Sequence, residues 1–181
     1  AEEAGKTIRG MVKVYKDQIE DKANIKLESD DVIMQWIVRW AAMAYSRFKK
    51  GEDGKTAYQR QKGKRCNEEV VPIGERVFYK KLKESGSRKN AMESNWETGI
   101  WLGHARASNE TVIGTSEGVV RAWAIKRLES SSSWDGKAIK EMKGTPQRPN
   151  PSMPGVDIPI RISAEPDNPG GEPDDCRPAR K

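Results

Sequence analysis

The sequence predicts an α+β chain: a helical hairpin, then a small antiparallel β-barrel, then a disordered Pro-rich tail. Three observations predict it. Apolar residues recur at steps of three and four through residues 4–19 and again through 32–44. Short runs rich in β-branched and aromatic residues, separated by turn chemistry, fill residues 74–128. From residue 129 onward the chain holds nine of its ten prolines and almost no periodicity. With 181 residues, 35% hydrophobic and 33% charged, there is material for about one domain plus polar tail.

The first helix carries Ala4, Ile8, Met11, Val12, Tyr15 and Ile19 on one stripe, with Lys6, Arg9, Lys13 and Lys16 mostly opposite. Asp30 or Asp31 caps the second, "DVIMQWIVRWAAMAYSRF", where Val32, Trp36, Trp40 and Met43 form a stripe that Ile33, Ile37, Ala41 and Ala44 widen. A helix so apolar requires burial on more than one side, and the first helix is its natural partner. These helices occupy residues 1–48. A basic linker, 49–71, follows: Gly51 and Asp53-Gly54 stop the helix, and Thr56 caps one short basic turn. Over 72–128 the runs "GERVFYKKLK", "ETGIWLGHA", "ETVIG" and "GVVRAWAIKRL" are separated by "ESGSRKN", "RASN" and "TSEG". Four or five short strands with tight connections predict a barrel of the SH3-like kind. The tail, 129–181, cannot bury enough apolar surface to offset its chain entropy, although "WDGKAIKEMKG" has the form of a short helix.

Composition excludes several classes of function. No apolar run approaches the roughly 18 residues of a membrane span, and "AEEAGKTIRG" lacks the form of a signal peptide. The expected compartment is therefore nuclear or cytoplasmic, and not secreted. Cys66 and Cys176 are too far apart for a paired zinc motif, and His104 is the only histidine, so metal fingers and Ser/His or Cys/His catalysis lack raw material. "GKT" near the N-terminus lacks the upstream glycine of a phosphate loop. Charge is concentrated: residues 47–89 carry fourteen Lys and Arg against six acids, a larger local excess than the whole chain's +6. Such a segment attracts polyanions by counterion release.

Three of the six tryptophans lie within residues 95–128. A barrel of about 55 residues must bury large rings to be stable. Core duty is therefore expected for Trp96, and for either Trp101 or the Ile100 and Leu102 pair on the opposite strand face. Trp123 differs, because strand alternation places it with Arg121, Ile125 and Arg127, while Val120, Ala122, Ala124 and Leu128 take the other face. An Arg-Trp-Arg face is a phosphate-and-base platform.

The order of "AEEAGKTIRGMVKVYKDQIEDK", "IMQWIVRWAAMAYSRFKKGEDGKTAYQRQKGKR", "PIGERVFYKK" and "WETGIWLGHARASNETVIGTSEGVVRAWAIKRL" resembles the integrase region of a copia-like retrotransposon Pol polyprotein, from its last catalytic acid through its C-terminal β domain. The matching motifs are "YSRF", the "GEDGKTAYQRQKGK" linker, "IGERVFY" and "GIWLG". The resemblance implies that residues 1–48 are the closing helices of an RNase H-like core and that Glu2, rather than Glu3, stands at the third acid of an Asp, Asp, Glu triad. In the parent, three carboxylates hold Mg²⁺ or Mn²⁺ ions about 3.5 to 4 Å apart. The matched residues hold neither Asp, so Glu2 is the sole catalytic and metal candidate, and the chain alone is expected to be inactive and to take no cofactor.

The expected role is backbone-directed, non-specific DNA binding, alongside other integrase or Pol segments that perform strand transfer. No small-molecule substrate and no membrane partner are expected. The residues assigned to DNA are Lys49, Lys50, Lys62, Lys64, Arg65, Lys80, Lys81, Lys83, Arg88, Lys89, Arg121, Trp123, Lys126 and Arg127. The alternative is a stand-alone chromatin- or RNA-binding module of SH3-like form, using an aromatic cage without catalysis.

Overall fold

A computed structural model of the chain describes residues 2–67, 69–80, 94–106, 108–130 and 132–152. Helix α1 (Glu2–Ala23) packs antiparallel-fashion back on α2 (Val32–Phe48) through the expected stripe: Ile19 is fully buried, with Met11, Val12 and Tyr15 packed around it. Burial pushes the Tyr15 phenol above its ordinary pKa, with Trp40 opposing the shift. The turn between the helices is fastened where Leu27, itself buried, donates its N–H to Glu20 Oε1 at 2.7 Å. Asp31 occupies the N-cap of α2 and accepts the Met34 N–H on its backbone carbonyl at 2.9 Å, but its side chain bonds none of that helix's amides. Its carboxylate instead accepts from the Glu28 N–H at 2.7 Å and Lys140 Nζ at 2.6 Å.

Helix α2 is buried at Ile33, Trp36, Ile37, Trp40, Ala41 and Ala44, more than one neighbour can cover. The sheet supplies the second neighbour. Its strands are β1 (Arg76–Lys80), β2 (Trp96–His104), β3 (Thr111–Gly114), β4 (Val119–Ala122) and β5 (Ile125–Arg127), forming an antiparallel open sheet in the order β4-β3-β2-β1-β5. From Gly99 to His104 every β2 residue is buried, so both faces of this central strand are covered. Ile100, Trp101 and Leu102 are therefore all core, where alternation alone offered a choice. Trp101 meets Trp40 edge to face, ring centroids 4.8 Å apart. A bulge between Trp101 and Gly103 makes this approach feasible: Gly103 has φ +116°, and a Cβ there would lie 2.9 Å from the Trp40 ring.

Two expectations are corrected. The run 118–128 is not one strand but two, broken at Trp123 and Ala124, and β4 and β5 fall at opposite ends of the sheet order. The tail is not structureless from 129. Helix α4 (Gly136–Glu141), capped by Asp135 accepting from the Lys137 and Ala138 N–H groups, buries Ile139, and Met142 follows into the same core. Trp36 Nε1 donates to Gly144 O at 2.8 Å, and the Val119 N–H donates to Pro149 O at 2.9 Å, so residues 144–149 are tied to α2 and to β4. Few apolar residues suffice when each fills a gap that α2 and the sheet leave open. Residues 153–181 lie outside the described residues.

The linker also has local structure. Thr56 caps α3 (Ala57–Lys62) in a reciprocal box with Gln59, and Gly63 ends it with φ +72°. Asp53 binds Arg60 bidentately, Oδ1 at 2.6 Å and Oδ2 at 3.0 Å. The buried residues, from Ile19 to Met142, form a single cluster that includes Val71 and Ile73, so helices and sheet share one core.

Candidate nucleic-acid interface

A concave cluster of positive charge lies between α2, α3 and the β2–β3 turn. On α2, Arg39, Met43 and Arg47 recur at four-residue steps and so share a face. On α3, Gln61 and Lys62 follow Tyr58 by three and four residues and so lie on its side of the helix, whose start is set by the Thr56 and Gln59 cap. Arg106 reaches in from the β2–β3 turn, which is closed by the Ala105 N–H donating to Glu110 O at 2.7 Å. The hollow they line is about 430 Å³, and none of its described lining residues is acidic. Arg47 is 7% exposed, with its guanidinium 5.7 Å from the Tyr58 ring centroid and Nη2 donating to Asn109 Oδ1 at 3.5 Å. Burial, and then the charge of Arg121, hold the Arg39 guanidinium below its ordinary pKa. Arginine remains protonated at neutral pH all the same, so the positive potential persists.

The cations expected to bind DNA divide into two groups. Lys50, Lys62, Lys64, Arg65 and Lys80 are exposed and form no ion pair among the described residues. The others are engaged. Lys49 lies 5.0 Å from the Tyr45 ring and 3.8 Å from a Glu3 oxygen; Arg121 faces Glu110 at 3.7 Å; Lys126 Nζ sits 4.4 Å over Trp96. Arg127 is clamped on the buried Glu75, and that hydrogen bonding raises its pKa. Lys81, Lys83, Arg88 and Lys89 lie outside the described residues.

The Arg-Trp-Arg platform does not form as a strand face. Arg121 and Arg127 belong to different strands, each with its own carboxylate, because the chain turns at Trp123. Trp123 itself is 67% exposed, the most exposed tryptophan among the described residues. Trp96 is half-buried, at the rim of a second hollow lined by Tyr79, Glu97, Thr98 and Glu117. There the Tyr79 hydroxyl donates to Glu97 Oε2 at 2.8 Å, and burial together with that carboxylate pushes its pKa well up.

Glu2 stands exposed in the first turn of α1, its carboxylate 3.2 Å from Lys6. Glu3 is equally exposed. Among the described residues no group of three His, Cys, Asp or Glu lies close enough together to hold a metal ion. His104 belongs to the core, 5.6 Å from the Trp101 ring, with Nε2 against Glu69 O at 3.1 Å. No helix among the described residues is long and apolar enough to cross a membrane.

Sequence reasoning missed Arg39, Tyr58 and Arg106 as a group. The signal for the first was present, since Arg39 and Arg47 interrupt an otherwise apolar helix at one face; Arg106 carried none, because its loop is brought to α2 only by the sheet. No protein-family model, no curated protein and no solved structure matches the chain.

Proposed function

We propose that the chain is the DNA-holding end of a copia-like retrotransposon integrase. In this reading α1 and α2 are the last helices of an RNase H-like core, and the sheet is its SH3-like C-terminal unit. The observation that carries the reading is the set of exposed cations at Lys50, Lys62, Lys64, Arg65 and Lys80 that meet no acid among the described residues. Such cations bind phosphates by releasing counterions, whatever the base sequence. The strand order adds support, since a last strand returning beside the first covers one edge of a meander and bends it toward a barrel. Strand transfer belongs to the parent polyprotein, where upstream Asp residues and Mg²⁺ or Mn²⁺ complete the site around Glu2. The chain alone binds without cutting. In the parent, Glu2→Gln abolishes strand transfer; in the chain alone it leaves DNA affinity unchanged.

Titration of the chain onto labelled mixed-sequence duplex is expected to give a Kd on the order of 10⁻⁴ to 10⁻⁶ M near physiological salt, weakening steeply as salt rises. Replacing Lys64 and Arg65 by Ala flattens the salt slope equally for unrelated duplexes. An affinity indifferent to salt overturns the reading.

One observation favours the second reading, a chromatin-binding module. The hollow bearing Trp96, Tyr79, Glu97 and Glu117 combines aromatic and acidic walls, the chemistry that takes an alkylated ammonium. Against it, the chain's own Lys126 already covers the Trp96 ring. A trimethyl-lysine peptide that quenches tryptophan fluorescence at micromolar concentration would establish it.

A further inference from the structure

A duplex carries about one negative charge per 1.7 Å of axis along a convex surface, and a stripe of exposed cations is its complement. The hollow between α2, α3 and the β2–β3 turn has the opposite shape. Its volume of about 430 Å³ is that of a small-molecule site. Arg39, Arg47, Lys62 and Arg106 line it from three elements, so four cationic side chains border one hollow and do not form a linear stripe. Among the same walls, Ser46 and Gln61 offer neutral hydrogen-bonding groups, and Tyr58 with Met43 offers aromatic and apolar surface. Burial disfavours the charge on Arg39 and nearby Arg121 repels it, a cost that an anion in the hollow relieves.

Resting on the DNA-holding reading above, we propose that this hollow takes one nucleotide of an unpaired strand, its phosphate on Arg39 and Arg106 and its base against Tyr58 and Met43. A paired base cannot enter, because its faces are stacked and its edge is engaged, whereas an unpaired base can be splayed into a pocket and stacked on an aromatic ring. An unpaired strand thus enters a hollow that duplex DNA does not, while Lys62 at its edge serves both.

The test uses the full chain and fluorescence anisotropy with labelled (dT)₁₂ and a blunt mixed-sequence duplex. Arg106→Ala, an exposed substitution, is expected to weaken (dT)₁₂ binding about tenfold, the loss of one charge-assisted phosphate contact. Duplex binding changes less than about twofold. Tyr58→Leu weakens (dT)₁₂ alone, with the thermal unfolding of both variants measured alongside. Competition separates the ligand's sources: dTMP at millimolar concentration displaces (dT)₁₂ from the wild type and not from Arg106→Ala, while inorganic phosphate does so far less well. Equal losses on both DNAs, or phosphate competing as well as dTMP, overturn the nucleotide site and leave the DNA-holding reading standing. Failure of the wild type to bind either DNA overturns that reading itself.

Discussion

The Arg127 guanidinium clamps the Glu75 carboxylate through two hydrogen bonds, Nε to Oε1 at 2.7 Å and Nη2 to Oε2 at 2.9 Å, and Glu75 is only 2% exposed. The pair ties β5 to the turn that enters β1, fifty-two residues away. Arg127→Ala leaves a buried carboxylate without its counter-charge. Because the arginine is half exposed and water can replace part of it, the expected cost is about 1–3 kcal/mol, measured by urea unfolding. Arg127→Lys restores only part, since an ammonium cannot reproduce the fork. A change in DNA affinity without loss of stability would show that Arg127 serves DNA first.

Ile139 is 2% exposed in the core beside Met142. Ile139→Ala is expected to cost about 2–4 kcal/mol by lost burial plus cavity. Ending the chain at residue 131 removes Ile139, Met142 and the acceptor for Trp36 Nε1 together, so a drop of many degrees in Tm is expected. An unchanged Tm would mean that 132–152 does not dock in solution.

Gly103 is the backbone's concession to Trp40. With φ +116° and a Cβ position 2.9 Å from the ring, Gly103→Ala meets conformational strain and a clash together. The expected loss is about 1–3 kcal/mol, with changed tryptophan near-UV circular dichroism as the rings separate. Stability within a few tenths of the wild type would contradict the packing of α2 on β2.

Asp53 titrates at about 2, below its ordinary 3.8, chiefly through its hydrogen bond from Arg60. A depressed folded pKa means the contribution is fully present above pH 3.8 and disappears as pH falls through about 2. Carboxyl NMR shifts should report a midpoint near 2 in the wild type and a clearly higher one in Arg60→Gln, still short of 3.8 because the Lys55 N–H continues to donate to the carboxylate. A wild-type midpoint near 4 would show the bidentate contact is not held.

Local periodicity and capping by themselves determined α1, α2, the Thr56 cap of α3 and the β-rich character of 76–127, because each depends on neighbours within a few residues. The expected charge excess likewise needed only counting. Other features depend on residues distant in sequence. Alternation along β2 could not tell which face is covered, and the answer, both, came from α2 on one side and further packing on the other. A Pro-rich tail reads as unstructured until Ile139 and Met142 find a gap waiting for them. Whether an arginine is a ligand for phosphate or a partner for Glu75 is invisible along the chain, since electrostatic pairing acts through space. Arg39, Tyr58 and Arg106 meet for the same reason: only the packing of α2 against the sheet carries the β2–β3 turn to the mouth of that hollow.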